Sequence, residues 1–155
     1  MIKSKISKNI IRKFNLASET FEQRIISQKA VYILQELGLE TNYNFSWYLY
    51  GVYSKELADD FFHFNFSNED FSEKQNITIQ NFEGLVGENI NDPMFFELVS
   101  SIVYLLRSDP LNPFISREDL FNKLINLKPH LNNLEQFNKL YDKIIGLLKE
   151  VQNLS

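Results

Sequence analysis

Trp47-Tyr48-Leu49-Tyr50-Gly51-Val52-Tyr53-Ser54 is a knot of aromatic side chains that closes on a glycine and a serine, and its reading decides the fold. Tyr43, Phe45, Trp47 and Leu49 alternate with Asn44, Ser46, Tyr48 and Tyr50, which is the two-residue period of a strand. Gly51 permits a turn. Ser54 is placed to cap a helix carrying Leu57, Ala58, Phe61 and Phe62, with Glu56 in its favourable first turn. Ten of the 24 residues from Tyr43 to Phe66 are aromatic, against 22 in the whole chain, so the segment must build a core or present a surface. The alternation predicts both. Tyr43, Phe45, Trp47 and Leu49 are expected to bury against Tyr32, Phe61 and Phe62, while Tyr48, Tyr50 and Tyr53 on the other side form a candidate partner-binding surface.

Working towards the amino terminus, apolar residues at 21, 25, 26, 30, 33, 34 and 37 mark a broad helical face that ends at Gly38. Ser18 or Thr20 caps its start. Before it, Ile2, Ile6, Ile10 and Phe14 make one stripe of a helix from Ile2 to Phe14, with Lys5, Lys8 and Arg12 on another face. Towards the carboxyl terminus, residues 67–91 are polar and acidic, and Ile77-Thr78-Ile79-Gln80 is the one alternating run among them. We read this stretch as a loop holding a weak strand that pairs with the first. Asp92 and Pro93 open the best-marked helix, with Met94, Phe95, Leu98, Val99, Ile102, Leu105 and Leu106 on its buried face and Asp109-Pro110 at its end. Ser116 with Asp119 starts another through Leu127, Lys128-Pro129 breaks it, and a last helix runs from about Asn133 to Val151. The prediction is a mainly α single domain over 1–155, with about six helices, a small two-stranded β element and a possible winged-helix character.

Composition narrows the chemistry. The 155 residues include no cysteine, which removes disulfides, thiolate metal sites and thiol nucleophiles. Lys8, Arg12 and Lys13 interrupt the apolar run that a secretory leader needs, and no apolar run approaches the ~20 residues of a membrane span, so a cytoplasmic protein is expected. Net charge is −4, but unevenly spread: residues 1–30 are strongly basic and residues 31–100 strongly acidic. Lys5, Lys8, Arg12, Lys13, Arg24 and Lys29 are therefore candidates to contact nucleic acid, although no recognition helix or aromatic-bearing sheet accompanies them. Asp59, Asp60 and His63 sit one helical turn apart, too few to close a zinc site, and read as an acidic helix edge. Gly84-Leu85-Val86-Gly87 lacks the length and lysine of a phosphate loop. No catalytic arrangement stands out and no cofactor is implied.

Arg24 through Gln35, then Gly38, then Tyr43 through Ser54 resemble the signature of the YwgA-type family of small prokaryotic proteins. There a helix with a Gln-Lys pair leads into an aromatic strand and a Gly-Pro-Tyr-Ser turn. Val52 stands where that pattern has proline, which gives up a fixed φ. More distantly the segment is similar to the Panacea domain, whose members act as antitoxins that neutralise partner proteins. The resemblance covers about 40 residues, fades after Phe66, and implies a regulatory, non-enzymatic module that docks a protein partner by occlusion. The acidic middle of the chain would steer it towards a basic surface. The alternative is a winged-helix-like nucleic-acid binder using the basic first helix. Tyr141, Ile145 and Leu148 of the last helix are a candidate homodimer stripe.

Overall fold

The computed structural model describes residues 6–108 and 115–154, which form seven α-helices and one antiparallel hairpin. Order along the chain is α1 (Lys8–Lys13), α2 (Phe21–Glu36), β1 (Ser46–Tyr48), β2 (Gly51–Tyr53), α3 (Lys55–His63), α4 (Glu73–Val86), α5 (Pro93–Arg107), α6 (Arg117–Leu127) and α7 (Leu134–Leu154). Short 3-10 turns follow α4 and α6. Among the described residues no helix is long and apolar enough to cross a membrane.

Capping chemistry sets most of these boundaries. Thr20 rather than Ser18 starts α2, through a reciprocal box with Gln23, and Gly38 follows its end at φ +121°. Asp92 accepts the amides of Met94 and Phe95 at 3.0 and 3.3 Å, with Pro93 in the first turn of α5. Ser116 caps α6 through the Asp119 amide. Ser7 caps α1, so Ile6 lies just before the helix rather than within it, yet Ile6, Ile10 and Phe14 are all buried as the stripe predicted. Ile2 and Lys5 lie outside the described residues, as does Asp109-Pro110.

Two helices carry the core. α5 is buried at Phe95, Phe96, Leu98, Val99, Ile102, Val103 and Leu105, and α2, itself buried at Ala30, Val31, Ile33 and Leu34, packs against it. The remaining helices and the hairpin pack around this pair, and one continuous apolar cluster joins them. On α7, Phe137, Leu140, Ile144 and Leu148 are buried; of the candidate homodimer stripe, Leu148 is thus internal, whereas Tyr141, on Phe137 beneath the Arg117 guanidinium, and Ile145 are half-buried.

Three expectations are corrected. Residues 73–86 form α4, not a loop with a weak strand. Ser72 and Gln75 cap it reciprocally, and Thr78, Ile79, Phe82, Leu85 and Val86 make a helical stripe that outweighs the four-residue alternation at 77–80. The strand partner of Ser46–Tyr48 is accordingly Gly51–Tyr53, not Ile77–Gln80. Finally, the chain reverses at Leu49-Tyr50, two residues before the expected strand ends its work, so Leu49 sits at the turn tip, 82% exposed, and Phe62 is 78% exposed on α3.

These placements separate two truncations that look alike in sequence. Phe82→Ala removes a ring with no solvent contact and is expected to cost about 3–5 kcal/mol, whereas Leu49→Ala should change stability by less than about 0.5 kcal/mol. Equal losses in urea unfolding would overturn the hairpin geometry.

Candidate functional site

The hairpin pairs Ser46 with Tyr53, Trp47 with Val52 and Tyr48 with Gly51. Alternation then gives it two unlike faces. Val52 is buried, and Trp47 lies against Tyr104 of α5 with ring centres 5.0 Å apart. On the outer face the diagonal neighbours Tyr48 and Tyr53 meet edge to face at 5.6 Å, and Tyr50 meets Phe21 of α2 at 5.2 Å. Leu49 and Tyr50 both have negative φ, and Gly51 at +96° supplies the left-handed residue that lets such a turn join right-twisted strands.

α2 holds this hairpin by its main chain. The Gln28 amide spans Ser54, donating to its carbonyl at 3.0 Å and accepting its N–H at 2.8 Å. Two turns further on, Gln35 clasps Tyr43 in the same way, both bonds at 2.9 Å, and also accepts from the Thr41 hydroxyl. Ser27 does so for Ala17. Ser54, fixed in this manner, caps α3 through the Leu57 amide at 3.3 Å, as expected.

Beneath the turn lie two buried lysines. Lys29 Nζ donates to the Tyr50 carbonyl at 2.6 Å and Lys128 Nζ to the Leu49 carbonyl at 3.4 Å. A Cβ on Gly51 would stand in ordinary contact with both ammonium groups, at 3.6 and 4.0 Å, so it is the φ of +96° rather than lack of space that calls for glycine here. Glu97 of α5 is the counter-charge. It pairs with Lys128 at 3.5 Å and with His130, while Lys128 also lies 5.5 Å from the centre of the Trp47 ring. Burial pushes the Lys29 amine down to about 8; Glu97 opposes that shift and Lys128 adds to it.

The outer face keeps its rings in water. Phe21, Tyr48, Tyr50 and Tyr53 are each between 40% and 56% exposed and enclose a groove of about 160 Å³. Beyond Tyr53 a second groove of about 220 Å³ runs to Phe61 and Phe62. Arg24 borders both.

The structure thus brings Tyr48, Tyr50 and Tyr53 together, and adds Phe21 and Phe62, which the sequence pattern assigned to the core. The candidate cations disperse. Lys8 is exposed, Arg12 bonds Asn9 and Lys13 pairs with Glu83 at 3.2 Å. Arg24 lies on the aromatic face, and Lys29 is corrected from surface cation to interior clamp, 2% exposed and engaged with the turn. Asp60 accepts from the Tyr43 hydroxyl at 2.6 Å and from Asn65, and no group of metal-ligating side chains occurs among the described residues. Lys128, Glu97 and His130 went unnoticed in the sequence, because residues 97 and 128–130 are far apart in the chain and follow no motif. Comparison with family models, curated proteins and solved structures finds no match.

The buried amine makes stability depend on alkaline pH in a stated direction. Between about 8 and the ordinary lysine value of 10.5, unfolded chains hold a proton that folded Lys29 has released, so unfolding free energy rises with pH. Burial raises the Tyr32 and Tyr43 phenols above their ordinary value of 10.0; beyond that pH the unfolded chain ionises first and stability falls. Denaturation across this range is expected to show a maximum near about pH 10, and Lys29→Met to remove the rising limb.

Proposed function

We propose that this chain is a non-enzymatic protein-binding module that docks a partner through the outer face of the hairpin and acts by occluding the surface it covers. The observation that carries this reading is the cluster of Phe21, Tyr48, Tyr50 and Tyr53, half in water on a backbone secured from below. Large rings bring much contact area at small entropic cost, since only two torsions order per tyrosine, and contiguous exposed apolar area of this kind is a mark of interaction sites. A fixed backbone adds to that advantage, because less freedom is lost when a partner binds. The resemblance to antitoxin-type domains favours a regulatory setting for the same surface.

The full chain, immobilised and exposed to an extract of its native cell, is expected to retain a defined protein. Tyr50→Ala and Phe21→Ala should each weaken that interaction by about 2 kcal/mol, with unfolding free energy changed by much less. Undiminished retention by both variants would remove the hairpin face from the interface.

A further inference from the structure

The two grooves that flank Tyr53 share more than an edge. Arg24, Gln28 and Tyr53 line both, so the grooves adjoin as one interrupted channel with these three side chains between them. Polar groups on its floor are already spoken for: Gln28 by Ser54, Ser27 by Ala17, and the Lys29 ammonium by Tyr50. Both grooves are lined mostly by apolar and aromatic atoms, so the groups that fill them beside Arg24 are expected to be apolar.

Arg24 is different. Among the described residues its guanidinium donates to the Ser18 carbonyl at 3.2 Å, lies 5.9 Å from the centre of the Phe21 ring, and pairs with no carboxylate. The Ser18 bond and the Phe21 ring orient the guanidinium while most of its five N–H donors stay available. Neither groove is lined by an aspartate or glutamate, so the channel is locally positive although the chain as a whole carries −4. This local sign is opposite to the steering expected from the acidic middle of the chain.

We propose that the channel takes a single partner segment with an acidic side chain between two large apolar ones: the carboxylate binds Arg24 and the apolar groups fill the grooves on either side of Tyr53. The inference rests on the hairpin face being the contact surface and adds the chemistry of what it contacts. Arginine and carboxylate match as two parallel hydrogen bonds, which sets the register of the segment, and the aromatic rims exclude water from the pair.

The test is selection of short random peptides displayed on phage against the immobilised full chain, followed by binding of the selected peptides to variants. Expected are sequences with Asp or Glu flanked by Leu, Phe, Trp or Met, weakened at least about tenfold when the acid becomes its amide or when Arg24 becomes Gln. Arg24 is exposed and outside the core, so Arg24→Gln and Arg24→Glu should fold normally, and Arg24→Glu should prefer peptides in which lysine replaces the acid. Peptides that depend on Tyr50 but carry no acid, or are indifferent to Arg24, overturn the carboxylate inference and leave the hairpin face standing. Selection of peptides indifferent to Tyr50, Phe21 and Arg24 overturns both. Displacement of the peptides by single-stranded oligothymidylate, with affinity falling steeply in salt, would mark the rings as a stacking surface for bases and overturn both as well.

Discussion

Side chains of α2 that reach across to main-chain atoms of other segments hold the hairpin end of this protein in place. A two-stranded hairpin is marginal by itself in water, and here each strand has three residues. The segments entering and leaving it have no ladder to satisfy their buried amides and carbonyls, which must nonetheless be paired. Ser27, Gln28, Lys29 and Gln35 supply those partners at Ala17, Ser54, Tyr50 and Tyr43. Because the same helix also packs on α5, with Tyr32 against Tyr104 and Glu36 paired with Arg107, the hairpin is anchored to the core rather than to a loop.

The interior charges follow from this arrangement. Lysine was needed under the turn because its stem is long enough to cross apolar surroundings and its head brings three donors. Burial is the main reason Lys29 holds its proton less firmly than an exposed lysine does, and the neighbouring Lys128 ammonium adds a smaller deficit of negative charge. Glu97 offsets part of that deficit while also binding His130, and so ties α5 and the segment after α6 to the hairpin. Removing either partner of such a pair costs far more than replacing both with apolar groups, since one buried charge is then left unmatched.

Much of the helical framework was legible because capping is local: Asp92 with Pro93, Ser116, Ser54 and Gly38 each act within a few residues of where they stand. α4 was hidden by a four-residue alternation in a polar context, and only the helical period of about 3.6 over its full length, with Ser72 and Gln75 at its head, shows the helix. The two-residue period places Tyr48 opposite Trp47, whereas Tyr53 shares its side only because the turn at 49–50 resets the phase between the strands. Leu49, Phe21 and Phe62 were not legible in this way, because apolar character says nothing of whether neighbours will cover a side chain. Lys29 was read by its charge, and its burial depends on Tyr50, Glu97 and Lys128, which only the fold brings to it.

The two ammonium groups beneath Gly51 also decide how far this surface can drift. A longer or differently shaped turn at residues 49–50 would withdraw its carbonyls and strand both cations in the interior, so the tip cannot be exchanged like an ordinary surface loop. Substitutions at the rings can vary one at a time. Changes of backbone there must arrive together with replacements at positions 29 and 128, which leaves the contour of the tip inherited and its side-chain lettering free to diverge.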